Sequence, residues 1–226
     1  MDLFYKPLNG YTQDQISIVF EHAKAVKLAF CRTDNCKVPE PISCSATGIN
    51  YELISLPSSA LELLQNKADL SELLCLIGRA LGGLHNDQHN PKLLHGDYVL
   101  HNLFFDGECL FIIDAHPPEL LGYRTDILFG DPTRDCLSLA ASIVSSIGYK
   151  KSFFETNRIN NYFLFFIKGY RSNRYFSKCK VGTIIRFLRD VYLMRYRSKF
   201  GFLSSLFQVI ACTYWIYKFG KLSKHD

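Results

Sequence analysis

The sequence predicts an α+β protein, strand-rich in its first half and helical in its second. Three observations carry this. Short apolar runs separated by turn signals occupy residues 2–55. A hairpin signal, Asp106-Gly107, joins two more such runs. Beyond residue 130 the apolar residues recur at helical spacing almost to the end. With 226 residues, 48% apolar and 21% charged, the chain is long enough for a sizeable core and too apolar for a disordered one.

The elements follow in order. "DLFYKPL" (2–8) reads as a short strand closed by Pro7 and the Asn9-Gly10 turn. A helix then starts at a capping box, Thr12 with Gln15. It keeps Ile16, Val19, Phe20, Ala23 and Phe30 on one face and ends near "CRTDN". Residues 38–57 read as two short strands joined by a turn at Ala46-Thr47-Gly48. A helix with leucines on one face covers about 69–85. The hairpin strands are "HNLFF" (101–105) and "CLFIIDA" (109–115). Helices are expected at 134–147, 159–170, 181–200 and 201–222.

Charge divides unevenly between the halves. Residues 150–226 hold 16 Lys and Arg against three acids, a net of +13; residues 1–149 carry a net of −8. Such a basic half suits phosphates, an anionic membrane surface or nucleic acid, or is a solvated face with no such partner. The eight cysteines form neither a C-x-x-C pair nor a zinc-like cluster, so free, mostly buried thiols in a reducing, cytoplasmic setting are expected. No secretory signal opens the chain. The uncharged run Phe200–Tyr217 reaches spanning length, yet its Gly, Ser, Gln and Thr residues favour a buried terminal helix over a membrane span or a peripheral membrane contact.

The chemistry centres on "LLHGDYVLHN" (93–102) and "CLFIIDA" (109–115). A short loop followed by a tight hairpin gathers Asp97, Asn102 and Asp114 around one small volume. Two carboxylates and an amide oxygen are hard ligands, suited to Mg²⁺ with phosphate oxygens completing its shell. One carboxylate kept off the metal can orient an attacking hydroxyl, which is what phosphoryl transfer requires. The bland alternative is that these residues only cap turns.

"HGDYVLHN" followed by "LFIIDA" resembles the catalytic and metal-binding loops of the protein-kinase-like fold. It is most similar to the small-molecule branch of aminoglycoside phosphotransferases, choline kinases and lipopolysaccharide-core kinases, where the loop often reads H-G-D-x-x-x-x-N. "LIGRALGGLH" (76–85) resembles the helix before that loop, "GDPTRDCLSLA" (130–140) the segment after it, and "NYELISLP" the hinge between lobes. The resemblance covers roughly residues 1–145. It implies a two-lobed fold, with a reduced N-lobe at 1–55 and a helical C-lobe at 56–226. It implies Asp97 as catalytic base, Asn102 and Asp114 as Mg²⁺ ligands, and His95 and Asp135 as supports of the loop. The backbone at Glu52, Leu53 and Ile54 would meet the adenine of ATP. Lys6 would bind its phosphates, with Glu21 as the ion-pair partner of Lys6.

Two features depart from the family. No room exists before Lys6 for the glycine-rich hairpin that covers the phosphates, so the lid is either absent or encoded upstream. "DAHPPE" replaces the usual bulky residue and glycine after the metal aspartate, leaving His116 and two prolines there. The implied activity is transfer of the γ-phosphate of ATP, with Mg²⁺, to a hydroxyl of a small molecule or glycan. The basic second half suits an anionic acceptor such as a phosphorylated sugar or lipopolysaccharide core better than a polycation. H-G-D in place of H-R-D, and no A-P-E-like segment, argue against a protein kinase. Two alternatives stand beside it: a degenerate kinase-like nucleotide-binding or scaffold protein without turnover, and a basic protein acting at RNA or a membrane surface.

Overall fold

In the computed structural model, the described residues are 2–66, 69–86, 93–117, 120, 131–173, 182, 184–189 and 202–222. Strand β1 (Leu3–Pro7) leads into helix α1 (Gln13–Phe30). The capping box sets the start of α1: Gln15 N–H donates to Thr12 Oγ1 at 3.3 Å, and Thr12 N–H donates to Gln15 Oε1 at 2.9 Å. Strand β2 (Cys36–Lys37) follows, then the antiparallel pair β3 (Pro41–Cys44) and β4 (Gly48–Glu52). The first sheet has the order β1-β4-β3, with Leu3 opposite Glu52 and Lys6 opposite Ile49.

Strand β5 (Ser58–Ser59), α2 (Ala60–Gln65) and α3 (Ser71–His85) come next. A 3₁₀ turn at Leu100–Asn102 then opens the hairpin of β6 (Leu103–Phe105) and β7 (Leu110–Ile112). Asp106 closes that hairpin by accepting the backbone N–H groups of Glu108 (2.9 Å) and Cys109 (2.7 Å). The second sheet has the order β2-β7-β6-β5, with β2 parallel to β7. Helices α4 (Thr133–Ile147), α5 (Tyr149–Ser152), α6 (Thr156–Asn173) and a last helix, Phe202–Leu222, complete the described chain. The structure is therefore α+β, with a small N-terminal sheet and a mostly helical remainder.

Two apolar cores form. Leu8, Ile16, Val19, Phe20 and Ile49 pack between the first sheet and the front of α1. The far end of α1, through Val26, Ala29 and Phe30, joins a larger core built on Leu74, Ile77, Leu81, Phe163, Phe166 and Trp215. One amphipathic helix thus ties the two together. Helices α3 and α6 cross backbone to backbone: a Cβ on Gly78 would overlap the Phe166 carbonyl, and one on Gly169 the Cys75 carbonyl.

Several expectations need correction. His101 and Asn102 lie in the 3₁₀ turn and not in the strand, which begins at Leu103. Strands β2 and β5 and the short helices α2 and α5 lie outside the expected elements; α2 nevertheless carries a local signal, the capping box of Ser59 and Glu62. Of the helix expected at 181–200, residues 182 and 184–189 are helical and the rest lies outside the described residues. All seven described cysteines are free, but only Cys136 and Cys212 are buried. Cys31 follows α1 and Cys44 ends an edge strand, so neither faces a core. Among the described residues no helix is long and apolar enough to cross a membrane.

Candidate active site

The loop at 93–102 is anchored from below by one buried carboxylate. Asp135, in the first turn of α4, is fully buried and accepts the backbone N–H groups of His95 (2.7 Å) and Gly96 (3.0 Å). Its Oδ2 also lies 3.1 Å from His85 Nε2, and His85 Nδ1 lies 2.9 Å from the Tyr170 hydroxyl. Burial alone would raise the pKa of Asp135. The hydrogen bond and charge of His85, the charge of His95 and the backbone donor outweigh burial and hold the carboxyl below its ordinary value. Gly96 has φ +88°, a conformation that costs a side-chain-bearing residue, and it lets two successive amides point at one carboxylate.

His95 is completely buried, with Nε2 3.0 Å from the Ile113 carbonyl and its ring edge-on to Phe30 and Tyr98. Burial is the largest influence on it and lowers its pKa below the ordinary histidine value. Tyr98, also fully buried, donates its hydroxyl to the Ile77 carbonyl at 2.9 Å and pins the loop to α3. These contacts leave Asp97 half-buried at the loop's outer turn. Asn102 Nδ2 donates to both the backbone oxygen and Oδ2 of Asp97, each at 3.0 Å. Asn102 Oδ1 and Asp97 Oδ1 make no hydrogen bond among the described residues, and so keep their acceptor capacity.

Asp114 stands just past β7. Ile113 N–H donates to the Asn102 carbonyl at 3.0 Å, so the hairpin itself brings the two segments alongside. Asp114 has φ +66°, a left-handed conformation that Asp tolerates better than most residues. Its carboxylate is ion-paired with Lys6 of β1. Asn102 Oδ1 and an Asp114 carboxylate oxygen are the oxygens that would face a metal ion here. Among the described residues no group of three His, Cys, Asp or Glu side chains could hold a metal alone. Two hard oxygen donors suit a Mg²⁺ ion that takes its remaining ligands from phosphate and water, as a nucleotide-borne ion does.

A cavity of about 220 Å³ opens beside Asp114. Its lining includes Lys6, Glu52, Leu53, Ile54 and Asp114, and the remainder is largely apolar. The N–H groups of Glu52 and Leu53 are committed, to the Glu40 carbonyl (2.8 Å) and the Asp2 carbonyl (3.0 Å). That of Ile54 makes no hydrogen bond among the described residues. The lining residues Phe4, Val38, Tyr51 and Ile113 had no sequence signal beyond being apolar or aromatic. Burial, and then the charge of Asp114, raise the pKa of Tyr51 well above the ordinary phenol value.

The structure does not bring Glu21 to Lys6. Successive helix residues are rotated by about 100°, and the buried stripe of Ile16, Val19, Phe20 and Ala23 sets the inner face of α1. Glu21 comes out on the opposite side, exposed and paired with Lys24 at 3.1 Å. Ala23 is the α1 residue that lines the cavity. His22 carries no signal in its sequence neighbourhood. Burial, followed by the nearby charge of His95, lowers its pKa to about 4. His116 is also turned inward: its Nδ1 donates to the Pro117 carbonyl at 3.2 Å and its Nε2 lies 3.1 Å from the Tyr11 hydroxyl.

No family model matches the chain, and no curated protein matches it. Among solved structures, an ethanolamine kinase from Plasmodium vivax is similar at a TM-score of 0.45 and 9% identity, over 98% of this chain and 80% of that one.

Proposed function

We propose that the chain binds Mg·ATP in the cavity beside Lys6 and Asp114 and transfers the terminal phosphoryl group to a hydroxyl of a small molecule or glycan. The observation that carries this reading is the cavity lining. Residues far apart in the chain, Lys6, Glu52–Ile54 and Asp114, share one pocket next to the braced loop that holds Asp97 and Asn102. In this reading residues 1–55 form the nucleotide-holding lobe and residues 56–226 carry the reacting groups.

The apolar lining takes the base, and Ile54 N–H is the donor available to it. Lys6 exchanges its contact with Asp114 for the phosphates. Asn102 and Asp114 would hold Mg²⁺, which when bound would neutralise phosphate charge. Asp97 Oδ1 accepts the proton of the attacking hydroxyl while Asn102 fixes Oδ2. The new P–O bond forms on the acceptor oxygen as the bridging bond to ADP breaks. The Asp135 brace prevents the loop from relaxing as charge moves, which is the preorganisation such a transfer needs. The basic second half favours an anionic acceptor such as a phosphorylated sugar.

A second reading, nucleotide binding without turnover, is favoured by a specific pair of facts: Lys6 is engaged by Asp114, and no α1 carboxylate is placed to draw it away. Calorimetric titration with ATP, with and without Mg²⁺, tests both. Mg²⁺ is expected to tighten binding by about ten-fold or more, and Asp114→Ala to remove that effect. Failure of the folded wild-type protein to bind any nucleoside triphosphate would overturn the proposal. Binding by wild type and Asp97→Ala alike, with no phosphorylated product from a broad acceptor panel in either, selects the second reading.

A further inference from the structure

The outer face of the last helix has no role in the site described above. Its inner face buries Ala211, Cys212, Trp215, Ile216 and Phe219. Ile210, Tyr214, Tyr217, Lys218 and Lys221 fall at spacings of four, three, one and three, which places them along one stripe on the other side. The three apolar members of that stripe are exposed, Ile210 by 50%, Tyr214 by 42% and Tyr217 by 53%. Each lysine lies over a stripe aromatic: Lys218 Nζ is 5.6 Å from the Tyr214 ring centre, and Lys221 Nζ is 5.0 Å from that of Tyr217.

A second piece of chain completes the surface. Trp215 Nε1 donates to Ser152 Oγ at 2.9 Å, and the Phe153 ring lies 5.6 Å from that of Tyr214. The turn after α5 is thereby fixed against the helix. It projects Phe154, which is 90% exposed and follows Lys151 by three residues. A phenylalanine so exposed on a rigid turn costs solubility unless something apolar receives it.

We infer that this face docks on an anionic lipid bilayer, with the last helix lying along the interface. Charge is the first argument. Along the described helix, from Phe202 to Leu222, there is no Asp or Glu, against Lys218 and Lys221. The acid nearest the turn, Glu155, is already shared by Lys151 at 3.8 Å and Arg158 at 3.6 Å. Side-chain chemistry is the second. Tyr and Phe with Lys around them suit the headgroup boundary, where aromatic rings sit and lysine stems snorkel. Ile210 offers no ring on which a nucleobase could stack. Arg158, the arginine nearest the turn in sequence, points away from this face, with Nε on the Tyr162 hydroxyl (2.7 Å) and Nη2 on the Leu64 carbonyl (3.2 Å). Arg158 therefore presents no guanidinium to this face for the stacking common in RNA recognition. No described helix is long and apolar enough to span, so the contact is peripheral.

The test is co-sedimentation of the full chain with phosphatidylcholine vesicles, with and without phosphatidylserine, across a salt series. It needs no nucleotide and is independent of the phosphotransfer reading. Binding is expected on the anionic vesicles only and should weaken as salt rises. Replacing Lys218 and Lys221 together by Gln should lower the partition coefficient by about 25-fold, about five-fold for each lysine. Phe154→Ser should lower it by about ten-fold while leaving the thermal melt unchanged, since Phe154 packs against little. Absence of wild-type binding to anionic vesicles would overturn the inference, as would binding indifferent to both variants. Phe154-dependent binding to poly(U) without vesicle binding would overturn it in favour of an RNA surface.

Discussion

His22 should make the protein lose stability in mild acid, by an amount the structure sets. Its ring sits under the braced loop with His95, His116 and Asp135 around it, and Nε2 is buried without a hydrogen-bond partner among the described residues. Burial, the largest cause, lowers its pKa from 6.5 to about 4. The unfolded chain takes up this proton near pH 6.5, whereas the folded chain resists it down to about pH 4. The folded form is thus fully favoured above pH 6.5, and the advantage drains away as the pH falls toward 4. Integrating between those two pKa values, a drop from pH 7 to pH 5 costs about 2 kcal/mol from this residue alone. His95 and His116, whose pKa values are likewise lowered first by burial, add to the same trend. Urea unfolding of wild type and His22→Asn at both pH values measures the term. Asn places an amide near the position of Nδ1 but does not titrate, so its loss over that interval should be smaller by about 2 kcal/mol. An equal loss in both proteins would refute the reasoning.

Three further outcomes are expected. Asp135→Asn turns an amide toward two backbone donors and leaves His85 without its carboxylate, so unfolding by urea should show a loss of about 3–5 kcal/mol; a loss below about 1 kcal/mol would mean that the brace is dispensable. Lys6→Met should change stability by less than about 1 kcal/mol, because its pair with Asp114 is partly solvated, yet should weaken ATP binding by calorimetry about ten-fold or more. Unchanged affinity would remove Lys6 from the site. Gly169→Ala drives a Cβ into the Cys75 carbonyl, backbone against backbone, and should cost about 3 kcal/mol in a thermal or urea melt. A neutral substitution would show that α3 and α6 can separate freely.

Much of this molecule was legible because it is local. The box of Thr12 and Gln15 needs only three residues of separation, and both of its hydrogen bonds form. Asp106-Gly107 closes a hairpin through bonds made within its own turn. The spacing of Asp97, Asn102 and Asp114 also sits within one loop and one hairpin, so few chain conformations are available to it. The position of Glu21 is local too: the stripe of Ile16, Val19, Phe20 and Ala23 places that carboxylate on the outside of α1. Order along the chain says nothing about rotation about a helix axis, so separation from Lys6 does not decide which face Glu21 takes.

Other features were decided only by packing. His22, His85 and Asp135 come from three helices, and nothing in the neighbourhood of any one of them announces the other two. The cavity wall joins β1, α1, the end of β4 and the end of β7, and its shape depends on how two sheets settle against one amphipathic helix. Lys6 meets Asp114 across 108 positions of chain. Short-range sterics and hydrogen bonding determine turns, caps and the spacing of a loop motif. Which distant side chains then share a pocket is settled by the burial of apolar surface, a non-directional force that acts on the whole fold at once.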